Sequence, residues 1–122
     1  MNELITQILQ EEGSVAIVTR GKDGPHMVNT WNTYLILSNN TYLIPAGRMH
    51  QTEANLKEDN RVLMSFGSRA ALGRSSRPGA GVLLTGTGVF EYEGANIDLV
   101  HERFPWARAA LVITAEDTEQ TL

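Results

Sequence analysis

The chain has 122 residues, a formal net charge of −4 and no cysteine. Its length suits one domain over residues 1–122, and the missing cysteine excludes disulfides, thiolate nucleophiles and iron–sulfur clusters. The acidic charge disfavours nucleic-acid binding, and no apolar run approaches the roughly 18 residues of a membrane span, so we expect a cytoplasmic protein.

The first part of the chain predicts one helix followed by a strand hairpin. Asn2 is the predicted N-cap of the helix and Gly13 its stop, and the apolar residues of the helix share one face: Leu4, Ile5, Ile8 and Leu9. Residues 14–20 have the composition of a strand, the tight connection 21–25 follows, and the chain returns as a second strand over 26–37.

The middle of the chain predicts two further strands and a second helix. Residues 38–40 turn the chain into a strand over 41–45, and a short helix follows over 51–58. The next strand covers 61–68. Glycine, serine and arginine dominate residues 73–81, which are therefore predicted to form a flexible loop.

The last third predicts a long strand, a helix and a final strand. Gly86 and Gly88 interrupt the strand over 82–92, which indicates a bulge or a sharp barrel bend. A helix over 95–104 precedes the strand over 109–114, and the chain then ends in a polar tail. About six strands with three short helices favour a mainly β fold, a small antiparallel barrel.

The segment that follows the strand over 41–45 is the most informative part of the sequence. Gly47 turns the chain from that strand toward the helix over 51–58, and Arg48 adds a basic side chain. Such a helix start has unpaired N–H groups and the positive end of a dipole, which suits a phosphate. Six of the ten lysines and arginines lie between positions 48 and 77. This cluster is either an ordinary solvated face of the protein or a local positive field that attracts a small anion.

A second unusual segment, Val-Asn-Thr-Trp-Asn-Thr-Tyr over residues 28–34, places polar and aromatic residues where a core strand carries Val or Ile. Trp31 and Tyr34 are either ordinary barrel residues or cofactor contacts. Two asparagines in the same strand favour a ligand role, and together with the phosphate site they predict a phosphorylated planar cofactor. Because a small barrel is filled by its own side chains, that cofactor must lie on an outer face. One chain covers only part of a cofactor placed there, so a second subunit is predicted to cover the rest, which makes the protein a dimer.

Five segments in order carry a family resemblance: DGPHMVNTWNTYL, GRMHQTEANL, DNRVLMSFGSR, FPWARAALVIT and EQTL. They resemble the FMN-binding split barrels related to pyridoxamine-phosphate oxidase, over nearly the whole chain. The resemblance implies an antiparallel six-stranded split β-barrel with Greek-key-like connections. It also implies a homodimer that holds one FMN per subunit at the interface.

The resemblance implies roles for particular residues of this chain. One strand lies along the flavin and bonds its ring edge, largely through main-chain groups, and it carries Val28, Asn29, Thr30, Trp31 and Asn32. A second segment holds the phosphate and ribityl chain, and it comprises Pro45, Ala46, Gly47, Arg48, Met49, His50, Gln51 and Thr52, with Asn55 nearby. Trp106 and Leu122 from the second subunit close over the ring.

One position departs from the family pattern. Relatives often have Lys where this chain has Gln51, and Arg48 stands in a position often held by a small residue. We therefore predict that Arg48 is the principal cationic ligand of the phosphate. The three histidines, His26, His50 and His101, match no metal-binding spacing, so neither a metal site nor a catalytic residue is predicted.

Three functional classes remain open from the sequence. The first is an electron carrier that serves an unidentified redox partner protein, since FMN supplies the redox chemistry and no residue presents itself as a general acid or base. The second is an NAD(P)H-dependent flavin reductase or a pyridoxamine-phosphate-type oxidase, for which the loop over 73–81 is the candidate site for a second phosphate. The third is a non-redox interaction domain that has lost its ligand, which the substitution at Gln51 favours.

Overall fold

Seven strands and three helices make up the structure of residues 1–122, all of which the computed structural model describes. In chain order they are α1 (Asn2–Leu9), β1 (Ser14–Gly21), β2 (Gly24–Trp31), β3 (Ile36–Ser38), β4 (Thr41–Ala46), α2 (His50–Glu58), β5 (Arg61–Leu72), β6 (Pro78–Glu91), α3 (Ala95–Arg103) and β7 (Ala109–Gln120). Two short 3-10 turns lie at Asn32–Tyr34 and Arg74–Ser76. The fold is mainly β, as predicted.

The strands form one antiparallel sheet in the order β2-β1-β5-β6-β7-β4-β3. Strands β5, β6 and β7 are consecutive neighbours, while β4 lies beside β7 instead of β5, and this arrangement is a Greek key. The two edge strands, β2 and β3, are consecutive in the chain. Residues 32–35 therefore connect the two edges of the sheet, between which no ladder of hydrogen bonds forms, as in a split barrel.

The prediction of one strand over 26–37, and with it the count of six strands, is wrong because Asn32 is fully buried. Its side-chain amide donates to the carbonyls of Ile8 at 3.4 Å, Glu11 at 3.3 Å and Gly67 at 2.9 Å. Its main-chain N–H donates to the Gly13 carbonyl at 2.9 Å. Asn32 thus bonds the end of α1, the segment that follows it and Gly67 of β5, and the predicted strand divides into β2 and β3.

The last three strands are longer than predicted. β5 continues to Leu72 and β6 begins at Pro78, so the predicted loop over 73–81 is reduced to residues 73–77. The predicted polar tail is also wrong, because β7 continues to Gln120 and pairs with residues 82–85 of β6. The hydrogen bonds between strands join main-chain groups, so a polar segment can continue a strand at the surface of the sheet. A prediction from composition places the end of such a strand too early.

The predicted bulge at Gly86 is confirmed by a register shift between Thr85 and Gly86 in the β6–β7 ladder. A Cβ atom at Gly86 would lie 2.0 Å from the carbonyl oxygen of Thr114, so only glycine allows the two strands to approach this closely. Thr85 pairs with Asp117 and Gly86 with Ala115, so Glu116 is the extra residue of the bulge and β7 is the strand that bends here.

Helix α1 covers the barrel core with the predicted face, since Ile5 and Ile8 are buried there and Leu4 and Leu9 pack against them. The predicted ends of this helix are wrong. Met1 is the N-cap in place of Asn2, and the helix stops at Leu9, before Gly13. None of the three helices has the length and apolar character needed to cross a membrane.

Candidate functional site

The turn between β4 and α2 is the centre of the candidate site. Pro45 pairs with Ala110 of β7, and because the β3–β4 ladder reaches only Leu43, Pro45 has a sheet neighbour on one side only. Gly47 and Arg48 are exposed beyond the strand end. Met49 adopts the left-handed conformation (φ 61°, ψ 32°) and is the N-cap of α2.

The turn presents a group of main-chain donors without acceptors. None of the N–H groups of residues 47–52 donates within the chain, and the Glu53 N–H, which bonds the Met49 carbonyl at 2.9 Å, is the first of α2 to do so. The hydroxyl of Thr52 has no partner either, although the residue is 1% exposed. Buried polar groups are normally paired, so this turn has the properties of an anion site.

Arg108, which lies just before β7, holds the turn from the sheet side. Its main-chain N–H donates to the Ala46 carbonyl at 2.9 Å, and its guanidinium donates to the Arg48 carbonyl through Nε at 3.0 Å and Nη2 at 2.6 Å. Nη2 also lies 3.1 Å from Oε1 of Glu53, in the first turn of α2. The turn is therefore fixed to both β7 and α2.

The side chains of Arg48 and Gln51 differ in how they are engaged. Gln51 donates to Oδ1 of Asn55 at 2.8 Å, and Asn55 in turn donates to the Thr19 hydroxyl at 3.1 Å. The polar groups of Gln51 and Asn55 are thus linked to each other and to β1. Arg48, by contrast, is exposed, and its guanidinium makes no hydrogen bond or ion pair, so it is the free cation of the turn.

Trp106 lies beside the turn within the same chain. A Cβ atom on Gly47 would be 3.4 Å from Cζ3 of the Trp106 ring, which is 54% exposed. The Trp106 ring packs against Tyr34 and Phe104, with ring centroids 6.1 and 5.8 Å away. The family resemblance predicts that Trp106 of the second subunit closes over the cofactor, and in the structure Trp106 also borders the turn of its own chain.

The residues predicted from β2 face two directions. Trp31 and Asn29 are exposed on the outer face, where the Asn29 amide donates to the Val15 carbonyl at 3.0 Å. Val28 and Thr30 face inward, as expected for alternate residues of a strand. Asn32 is fully buried, so its side chain is not presented at the surface. Its main-chain N–H and C=O groups also both have partners within the chain.

Leu122 is separated from the turn. It borders a cleft of about 840 Å³ together with Gly13, Gly81 and other residues, and none of residues 45–52 lines this cleft. Its carbonyl accepts a hydrogen bond from Nε2 of Gln120 at 2.8 Å. Within one chain, the predicted residues of the turn and the predicted terminal residue therefore lie at different places.

A family model described as pyridoxamine 5'-phosphate oxidase matches residues 1–121. The chain belongs to this family. A relative named FMN-binding protein, from Nitratidesulfovibrio vulgaris (strain Miyazaki F), is 52% identical over 117 residues, which cover 95% of this chain and 94% of the relative. The family prediction made from the sequence is confirmed.

Two solved structures share the split-barrel fold of this pyridoxamine 5'-phosphate oxidase family member. HupZ from Group A Streptococcus has a TM-score of 0.76 at 17% identity and covers 98% of this chain and 92% of its own. An FMN-binding protein from Syntrophomonas wolfei has a TM-score of 0.68 at 14% identity, and the match covers 98% of this chain and 82% of the chain of that protein. At these identities the similarity establishes the fold.

The groups with shifted pKa values in this family member lie outside the turn. Burial raises the pKa of Tyr42, and hydrogen bonds from Arg61 lower the pKa of Asp59 to about 2. The same contact raises the pKa of Arg61. No group of three or more His, Asp or Glu side chains could hold a metal ion. Residues 45–55 therefore offer unpaired main-chain donors and one free cation, Arg48.

Sequence reasoning missed three residues that organise the turn: Arg108, Glu53 and Thr19. The sequence did contain a signal for Arg108, which stands between Ala107 and an apolar, buried strand. A charged side chain at such a position needs a partner. Thr19 gave no signal, because threonine is an ordinary strand residue and its bond to Asn55 joins positions 36 residues apart.

Proposed function

We propose that this protein binds one FMN per subunit between two copies of the chain and acts as an electron carrier. The observation that carries the proposal is the turn over residues 47–52, whose N–H groups and buried Thr52 hydroxyl have no partners in the chain. The 52% identical relative named FMN-binding protein supports the choice of ligand.

The residues of the turn fit the phosphate of FMN. A phosphate offers several acceptor oxygens to the N–H groups at the start of α2 and to the Thr52 hydroxyl, and the helix dipole favours its negative charge. The free guanidinium of Arg48 supplies the positive charge that Gln51 lacks. Gly47 leaves room for the neighbouring ring of Trp106.

The outer face of the sheet supports the pairing of two chains. Val18 of β1 lies between Met27 of β2 and Leu63 of β5 in the ladders, so three apolar side chains form a row across the strands. Met27 and Leu63 are 64% and 39% exposed in one chain. A second copy that covers this row would remove apolar surface from water. A cofactor that one small barrel cannot enclose likewise needs a second copy to cover it.

FMN accepts and donates electrons singly or in pairs, while the protein positions it, excludes water and sets its electrostatic surroundings. The rival enzyme classes need a basic pocket for a second phosphate. In their candidate segment, Arg74 already donates to the Gln120 carbonyl at 2.7 Å, and residues 78–81 belong to β6.

An absorbance spectrum of the purified protein, combined with the mass of its native particle, tests this proposal. We expect flavin absorbance, one FMN per chain and the mass of a dimer. A colourless protein that does not bind added FMN would contradict flavin binding and favour an interaction domain. Anaerobic mixing with NADH and NADPH tests the carrier role, because rapid reduction of the flavin at catalytic rates would favour a reductase.

A further inference from the structure

We propose that Arg108 is a positioning residue that orients the phosphate-binding N–H groups of the turn without itself binding the phosphate. This inference rests on the proposed FMN site. It concerns a residue outside the segment that would contact the phosphate. Two observations carry it: Arg108 holds alternate carbonyls of the turn, and its own charge is already paired with Glu53.

The first observation fixes the direction of two peptide groups. Arg108 bonds the Ala46 carbonyl through its main chain and the Arg48 carbonyl through its guanidinium. In a planar trans peptide the C=O and the following N–H point in opposite directions. The N–H groups of Gly47 and Met49 must therefore both face away from Arg108, and both lack an acceptor in the chain.

The residue that follows the second of these carbonyls has a backbone conformation that non-glycine residues seldom adopt. Met49 has a φ of 61°, in the left-handed region that favours glycine. Non-glycine residues persist there where the surrounding contacts hold them. The two guanidinium bonds to Arg48, the residue before Met49, are such contacts, and we infer that they keep the turn open in the absence of a ligand.

The second observation separates Arg108 from the cation that meets the phosphate. The Arg108 and Glu53 side chains are only 27% and 13% exposed, and their ion pair is 3.1 Å long. The guanidinium also lies 5.6 Å from the centre of the Phe90 ring. A charge held by a carboxylate, an aromatic ring and a carbonyl has little freedom to bind a ligand, whereas the guanidinium of Arg48 has none of these contacts.

Arg108→Gln tests the inference, with Arg103→Gln as its matched control. Arg103 likewise donates to a carbonyl, that of Thr33 at 2.8 Å, and lies 5.0 Å from the centre of the Phe104 ring. FMN and riboflavin, which lacks the phosphate, are titrated into the ligand-free protein. We expect R108Q to weaken FMN binding by about ten- to a hundredfold, leaving riboflavin binding within about twofold, and R103Q to preserve the ratio of the two affinities.

Two further measurements separate positioning from other roles. Amide hydrogen exchange of the ligand-free protein should become faster at residues 47–52 in R108Q and stay unchanged in R103Q. The salt dependence of FMN binding should persist in R108Q, because the charge of Arg48 remains. Arg108→Lys, which keeps the charge and can donate to the Arg48 carbonyl, should recover part of the lost affinity.

Three results would overturn the inference. R108Q could lose affinity for riboflavin and FMN equally, which would indicate a general structural role. It could lose the salt dependence, which would make Arg108 a direct phosphate ligand, or it could bind FMN as the unaltered protein does. If the unaltered protein itself fails to bind FMN, the proposed function is wrong and this inference falls with it, so the two failures are distinguished by the first titration.

Discussion

Asn55 donates a hydrogen bond from Nδ2 to the hydroxyl oxygen of Thr19 at 3.1 Å, and this bond ties α2 to β1 inside the protein. Both residues are at most 5% exposed. Gln51 extends the connection to the surface of α2 through its bond to Asn55. The helix that begins at the candidate phosphate site is thus anchored to the barrel by polar contacts.

Replacing Thr19 with Val should destabilise the protein while preserving the shape of the side chain. The Asn55 amide would lose its acceptor in a buried place, which costs about 1–3 kcal/mol in the free energy of unfolding. Urea denaturation measures the loss. Thr114→Val, the same change at an exposed position of β7, is the control and should have little effect. Equal stabilities of the two variants would contradict the role of the bond.

Arg48→Ala should weaken FMN binding and reduce its dependence on salt. A charge-assisted contact to phosphate from this exposed side chain is worth about 1.5 kcal/mol, or roughly tenfold in the dissociation constant. Titrations at low and moderate salt measure both effects. Adding Gln51→Lys to Arg48→Ala should restore much of the affinity, because it returns a cation to the first turn of α2. An unchanged dissociation constant in Arg48→Ala would contradict the assignment.

Gly86→Ala should be more harmful than Gly88→Ala. At Gly86 the added Cβ meets the carbonyl oxygen of Thr114 at 2.0 Å, and a main-chain atom in a ladder cannot move aside. At Gly88 the nearest atom is Cγ2 of Val62 at 2.9 Å, on a side chain that can shift. We expect losses of about 3 and 1 kcal/mol in the free energy of unfolding, measured by urea denaturation. Similar losses would show that the bulge tolerates a side chain.

The ion pair of Asp59 and Arg61 should contribute to stability in a defined pH range. Hydrogen bonds from Arg61 lower the pKa of Asp59 from 3.8 to about 2 in the folded protein. Because the folded value is the lower one, the contribution is present above pH 3.8 and is lost as the pH falls toward 2. NMR titration of the Asp59 carboxyl carbon measures the pKa. In Arg61→Gln it should return toward 3.8, and an unchanged value would contradict the stated cause.

Local pattern was sufficient where a residue's role depends on its neighbours in the chain. The apolar face of α1, the start of α2 after a glycine turn and the bulge at Gly86 were predicted, because each depends on residues a few positions apart. The polar tail was wrong because β7 is held to Gln120 by the ladder with β6, and no property of the tail itself reveals that neighbour.

The sequence by itself determined the family and the mainly β fold, and it predicted an anion at the turn between residues 47 and 52. Only the tertiary structure decided that Asn32 bonds the end of α1 and that Arg108 holds the carbonyls of Ala46 and Arg48. The physical reason is distance along the chain. Asn32 and Arg108 act on groups 19 to 62 residues away, and such partners are brought together only when the barrel closes.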